Sequence, residues 1–318
     1  MKKYNSIDVL KIILAIFVVM IHTNPFLSVS AYLNLFVVDA LARLAVPLFF
    51  MSSGFFLASK LHDFRAVLNY IKKIVLLYLI WSIIYLPINV YNIMQDPSFL
   101  RLYIQRFFFE GSYYILWFLP ALAFGSILLY FLRNLSKFTL AVLCVVLFAV
   151  GSLGQSYYSL ANPPEIYYQM FLTTRNGLFF ALPFLGFGFI AKSLKFSGLP
   201  ALVLSAASLI ALGVEVFLAR NLDFSQGNGM WFFVLPSAFF VFLWVKEIKL
   251  TGDRIYKYLR KLSTLVFLSH GLFIIAFAII APRLGIENSI IQFLLVLVPS
   301  FILSHVILKI PQLKFMYE

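Results

Sequence analysis

The sequence predicts an all-α polytopic membrane protein with about ten transmembrane helices and both termini in the cytoplasm. Three observations carry that reading. Of the 318 residues, 63% are hydrophobic and 12% charged, with a mean hydropathy of +0.97. That is roughly half of the ~25% charge of an ordinary soluble domain, which excludes soluble globular, disordered and fibrous classes. The apolar residues gather into ten runs that continue without the period-2 alternation of a barrel strand. Lysine and arginine are also distributed unevenly among the connections between the runs. With the N-terminus inside, nineteen of the 25 fall on the cytoplasmic side and five outside, the bias that sets orientation. The net charge of +13 is thereby a topology signal, and it calls for no nucleic acid.

The ten runs are Ile7–Leu27, Leu35–Ala58, Leu68–Tyr91, Tyr114–Phe131, Phe138–Leu153, Asn176–Ala191, Leu199–Ala219, Trp231–Val245, Leu262–Ile280 and Ile290–Leu308. The first follows Lys2 and Lys3 like a signal peptide. It carries Asp8 and Lys11, exceeds the length of an h-region and lacks a small-x-small cleavage site, so it reads as a retained helix. The longest connection, Gly154–Arg175, contains Asn162-Pro163-Pro164 and reads as an outer loop. The connection Lys246–Lys261 reads as a cytoplasmic basic helix or loop, facing either anionic lipid head groups or a phosphate-bearing donor. Positions 1–318 thus form a single integral-membrane domain with no soluble domain. There is no repeat, Walker loop or dinucleotide fingerprint, and one cysteine, Cys144, excludes a disulfide framework. Four histidines at different depths give no metal-ligand spacing, so no metal is expected.

Polar residues inside the runs point to the site. A charge at mid-bilayer costs about 2.5–3.5 kcal/mol even on the lenient insertion scale. Lys11 and His22 are eleven residues apart, about three helical turns, so they share a face at ~16 Å, with Asp8 within about 60° of it. This stripe either points into the bundle, or Asp8 and Lys11 pair at the interface and His22 caps the outer end. Arg43 in the second run lies at a similar depth to His22, where a guanidinium keeps a neighbouring imidazole neutral, the form a general base needs. Pro47 removes a backbone hydrogen bond and Ser52-Ser53-Gly54 permits close packing.

Further along, Trp117 is either an aromatic-belt residue or part of the site, and Arg175 either an interface anchor or a carboxylate or phosphate ligand. Glu215 lies about a turn from Arg220 and either pairs with Arg43 or Arg175 or orients a substrate. His270, ~12 Å into its helix, either bonds a neighbouring helix or joins the site. His62, Arg283, Glu287 and His305 read as interface residues.

Lys11-x10-His22, then Arg43-x3-Pro47-Leu48-Phe49-Phe50-Met51-Ser52-Ser53-Gly54-Phe55, resembles the start of the membrane acyltransferase-3 family. Trp117-Phe118-Leu119-Pro120 is similar to that family's fourth-helix motif, and Ser263 through Ser269-His270 to its late serine–histidine helix. Arg175-Asn176-Gly177-Leu178-Phe179-Phe180 and Glu215-Val216-Phe217-Leu218 resemble the branch that includes the membrane half of vancomycin-resistance serine racemases. The resemblance implies transfer of an acyl group, often acetyl, from acetyl-CoA or another acyl-CoA. The acceptor it implies is a hydroxyl of a cell-envelope glycan or lipid-linked molecule, with the enzyme in the bacterial cytoplasmic membrane. His22 matches the family's histidine and Lys11 its basic partner, usually arginine. A lysine offers no bidentate fork.

The expected catalytic pair is therefore His22 and Arg43, the base and the oxyanion donor, the latter aided by a backbone amide or His270. Lys11, Trp117, Arg175, Glu215 and His270 are expected to bind substrate. The expected partners are acyl-CoA, the acceptor and the lipid bilayer. The alternative is a transporter of serine or another small amino acid, with Glu215 and Arg175 holding the zwitterion.

Overall fold

A computed structural model describes residues 4–96, 99–161, 165, 173–196, 198–222, 229–252 and 254–318. Among them there are helices and turns and no strand. We label the helices α1 (Asn5–Thr23), α2 (Ala31–Leu57), α3 (Phe64–Gln95), α4 (Phe99–Phe109), α5 (Phe118–Leu132), α6 (Lys137–Leu153), α7 (Gly177–Ala191), α8 (Leu199–Asn221), α9 (Val234–Val245), α10 (Arg254–Leu284) and α11 (Ser289–Lys309). Every apolar run overlaps one of these helices. Six of them (α1, α2, α3, α8, α10 and α11) are long and apolar enough to cross a membrane, and four shorter apolar helices span 10–17 residues. The chain is thus built as a multi-pass membrane protein. Among the described residues, length and hydropathy support six candidate crossings.

The boundaries differ from expectation in three places. The residues before Phe118 form turns with Trp117 as the N-cap, so α5 begins later than the apolar run. α10 begins at Arg254, so the basic residues up to Lys261 are its first two turns, continuous with the apolar run. α4 lies outside the ten runs. It carries Leu100, Ile104 and Phe108 exposed on one stripe, with no buried residue. Asn162, Pro163 and Pro164 lie outside the described residues.

The chain divides into two compact units. The first comprises Met1–Phe49, Phe196–Asn221 and Pro236–Glu318. Here α1 packs on α10 and α11, with Ala15, Val19, Leu262, Val266 and Val296 as a common core. Both ends of α1 are tied down. Asn5 Nδ2 donates to the carbonyls of Leu250 and Gly252, each at 2.8 Å. The Ser289 hydroxyl donates to the carbonyl of Pro25, also at 2.8 Å. α8 packs against a π-helical stretch of α2, Leu35–Leu41, which a 3₁₀ turn at Ala42–Leu44 follows. Such wide turns re-aim side chains and recur at functional sites. Pro47 falls in the first turn of the α-helical part that starts at Ala45, where its missing N–H costs little.

The second unit is Phe50–Lys195 with Leu222–Leu235. α5 packs on α3 and on α7, and α7 on α6. Gly54 and Gly188 allow a close crossing of α2 over α7. A Cβ on Gly54 would overlap the carbonyl of Leu185, and one on Gly188 that of Met51. This is the small-residue packing expected between helices in lipid. At the head of α5, Phe50, Trp117, Phe118 and Phe180 form an aromatic cluster with ring centroids 4.4–6.1 Å apart.

Candidate functional site

The packing of α1 on α10 brings two histidines together. The rings of His22 and His270 have centroids 5.3 Å apart and planes tilted by 30°. Ring atoms at that separation leave no space for an apolar side chain between them. His270 is fully buried, and its Nδ1 lies 2.6 Å from the Phe267 carbonyl. A carbonyl only accepts, so Nδ1 carries a proton, and in the neutral ring Nε2 holds the lone pair. That Nε2 is buried and makes no hydrogen bond among the described residues, and the hydroxyl of the preceding residue, Ser269, is in the same condition. Unsatisfied buried polar atoms are costly and call for a reason. In that tautomer Nε2 is an acceptor of a hydrogen bond or proton.

Along α1, Asp8 is buried while Lys11 and His22 are partly exposed. Asp8 Oδ1 lies 3.9 Å from Arg260 Nε on α10, and Lys11 is within electrostatic reach of both. Asp8 therefore belongs to a three-charge group spanning two helices, a fuller arrangement than the interfacial Asp8–Lys11 pair weighed from sequence.

Arg43 is held by a residue the sequence reading passed over. Its Nη2 is 3.2 Å from Asp39 Oδ1, and Arg220 Nη2 is 3.5 Å from the other oxygen of the same carboxylate. Asp39 thus bridges arginines of α2 and α8. The signal was present as the i, i+4 spacing of Asp39 and Arg43. Arg43 Nε is buried and makes no hydrogen bond among the described residues, leaving one N–H of the fork unused. The 3₁₀ turn that carries Arg43 packs against α1. Glu215 sits partly exposed on α8, the helix that supplies Arg220.

Trp117 and Arg175 belong to the second unit. The Arg175 guanidinium lies over the Trp117 ring, 4.9 Å from its centroid, a cation–π contact worth about 0.5–2 kcal/mol. Both line a cavity of about 280 Å³ together with Asn89, Asn92, Arg106 and Tyr113. Arg106 is paired with Glu110, Nε to Oε2 at 3.4 Å. Burial, with a push from the neighbouring Tyr114, moves the Tyr113 phenol upward, and burial raises Tyr103 as well. Both therefore stay protonated donors. A buried network sits behind this wall: Ser112 N donates to Tyr78 Oη at 2.7 Å, and Ser112 Oγ to Ser82 Oγ at 2.7 Å. Asn89, Asn92, Arg106 and Glu110 had no motif to mark them, since they become neighbours only once α3, α4 and α5 fold.

His62, Arg283, Glu287 and His305 are exposed. His305 bonds the hydroxyl of Tyr258, Nδ1 to Oη at 2.7 Å. Among the described residues, no three of His, Cys, Asp and Glu gather as a metal site.

The acyltransferase-3 family model, described as an acyltransferase domain, matches residues 4–309. Similar curated proteins include two from Enterococcus faecalis named amino-acid racemase. One is 31% identical over 96% of this chain and 46% of its own length, the other 29% identical over 96% and 45%. A serine/alanine racemase of Enterococcus gallinarum is 29% identical over 93% of this chain and 45% of its own length. The chain spans about half the length of these relatives. No solved structure gives a significant match.

Proposed function

Because the chain belongs to the acyltransferase-3 family, a family of membrane acyltransferases, we propose that it moves an acyl group, acetyl first among them, from an acyl-CoA to a hydroxyl of a cell-envelope glycan or lipid-linked acceptor in the bacterial cytoplasmic membrane. The observation that carries the proposal is the His22–His270 pair at 5.3 Å, with an Nε2 on the buried ring that makes no hydrogen bond among the described residues. In the proposed step, His22 takes the proton of the acceptor hydroxyl as its oxygen attacks the thioester carbonyl. His270 Nε2 accepts a hydrogen bond from the resulting imidazolium and spreads its charge. The free Nε–H of Arg43 stabilises the oxyanion. When the tetrahedral intermediate collapses, the C–S bond breaks and the CoA thiolate recovers the proton from His22. A general base contributes about 10²–10⁴-fold and an oxyanion donor about 10²–10³-fold. Lys11 and Arg260 offer positive charge to the phosphates of the donor, while Glu215 remains a candidate for orienting the acceptor.

The test is transfer of label from acetyl-CoA, by the chain purified in detergent, to a bacterial envelope extract. Label appearing in envelope material is expected, and its absence with every acyl-CoA tried overturns the assignment. A second reading, transport of serine or another small amino acid, is favoured by the names of the relatives, which describe racemases of amino acids. Uptake of labelled serine by proteoliposomes, lost in Glu215→Ala, would move the function to that reading.

A further inference from the structure

Three short segments of the second unit wall two cavities of opposite character. Arg106, residues 110–114, Trp117, Thr173 and Arg175 line the polar cavity of about 280 Å³. Phe108 and Phe109, between Arg106 and Glu110, with Pro120, Ala121, Phe124 and residues 176–179, which follow the other two segments, line an apolar one of about 410 Å³. Each is of the size that holds a small ligand group. The wall between them is fixed by hydrogen bonds. Asn176 Oδ1 accepts from the amides of Leu178 and Phe179 at 3.0 and 3.1 Å, and its Nδ2 donates to the Thr173 carbonyl. Thr173 Oγ1 accepts from the Arg175 amide at 3.0 Å. Arg175 thus faces the polar cavity while Leu178, three residues on, faces the apolar one.

The charged side chains of the polar cavity are Arg106, Arg175 and Glu110, one positive charge in excess. The amides of Asn89 and Asn92 and the protonated phenol of Tyr113 add groups that bond hydroxyls. The apolar cavity opens outward, with Phe108 and Phe124 66% and 51% exposed. In a multi-pass membrane protein that surface meets hydrocarbon.

We propose that the two cavities together take one amphiphile with a monoanionic, hydroxyl-bearing head, its charge at Arg175 and Arg106 and its hydrocarbon chain against Phe108, Ala121 and Leu178. This binding site lies within the second unit and does not rest on the transferase reading. The excess positive charge favours an anionic head over a zwitterionic one, and the apolar cavity favours an amphiphile over a free phosphate.

Lysophosphatidylglycerol serves as the probe, since it combines one chain, one phosphodiester charge and two kinds of hydroxyl. The protein in a maltoside detergent is titrated and the bound probe counted by native mass spectrometry. We expect one saturable site at which lysophosphatidylglycerol binds at least tenfold more tightly than lysophosphatidylcholine or glycerol phosphate. Arg175→Gln and the more exposed Arg106→Gln each weaken it severalfold or more. Leu178→Trp weakens it about tenfold by filling the chain site. Equal binding of the choline lipid overturns the charged-head assignment, equal binding of glycerol phosphate overturns the chain site, and wild-type binding by all three variants overturns both. His22→Ala is expected to bind the probe as the wild type does. Tight probe binding by a chain that transfers no acyl group would retire the transferase reading and keep the site; transfer without probe binding would do the reverse.

Discussion

The two units hold their polar groups in opposite ways. In the first, the groups are locked into the helix packing itself. His270 is sealed between α10 and α1 with one nitrogen spoken for, and Arg43 is held by a carboxylate it shares with Arg220. In the second, charged and aromatic groups stand around a cavity, with Arg175 laid over Trp117 and Arg106 reaching Glu110 at its rim. Buried groups with unused valences suit chemistry that needs a fixed, dry environment. Groups around an accessible cavity suit recognition. Substitutions in the first unit should therefore cut turnover or stability, and those in the second should cut binding.

The largest effect expected is from His22→Ala. Loss of a general base lowers turnover about 10²–10⁴-fold, while circular dichroism and gel filtration stay as in the wild type, because the side chain is only partly buried. Transfer that survives this change would dissolve the contrast at its first-unit end. His270→Phe should cut turnover less, by about tenfold to a hundredfold. It removes the acceptor nitrogen while the ring continues to fill the fully buried site.

Stability should report on the Asp39 bridge. Asp39→Asn leaves two guanidiniums facing each other with no carboxylate. Breaking a buried pair in this way costs about 3–5 kcal/mol, and the partial exposure of Arg220 brings the figure toward the lower end. The double variant Asp39→Asn with Arg43→Gln should recover part of the loss in thermal unfolding followed by tryptophan fluorescence. No recovery would mean that Asp39 acts through something other than Arg43.

These residues also mark where the sequence was legible. Each apolar run became a helix because nothing but a helix satisfies the backbone of a long apolar segment in lipid. Lys11, His22 and Arg43 stood out for a related reason: a polar residue in such a run is costly unless it has a use. Asp39 did not stand out, although it is as polar as any of them. It sits before the change from π to 3₁₀ geometry in α2, and standard periodicity does not assign it a face. His270 was visible as a residue, but its pairing with His22 depends on how α10 packs on α1, which no local spacing encodes. The cavity of the second unit was least legible. Trp117 and Arg175 are far apart in sequence and meet through tertiary packing alone, and α4, which supplies Arg106, is too short and too polar to register as an apolar run.

A smaller effect tests whether the Ser269 hydroxyl has any structural use. Ser269 Oγ is buried and makes no hydrogen bond among the described residues, so Ser269→Ala removes a desolvation cost and gives up no bond seen there. The melting temperature should stay level or rise slightly. A clear fall would show that the hydroxyl is satisfied by a group outside the described residues.

The smallest effect lies beyond both sites, at the end of the described chain. Glu318 receives Lys261 Nζ at 2.5 Å and Lys314 Nζ at 2.8 Å, closing the 3₁₀ turn Pro311–Met316 against the start of α10. The two lysines hold the Glu318 carboxyl below its ordinary value, and that carboxylate in turn raises Lys314. A carboxyl depressed in the folded state contributes stability that is fully present above its unfolded pKa and is lost as pH falls through the folded one. Acidification below the usual glutamate range should therefore release the turn, seen as faster amide exchange across residues 311–316, while α1 and α10 keep their protection. Both ion pairs are largely exposed, so the effect should shrink with added salt. Exchange that rises equally in α1 at the same pH would mean that the turn braces the helix pair carrying His22 and His270, which would bring the first unit's site under the control of a surface charge.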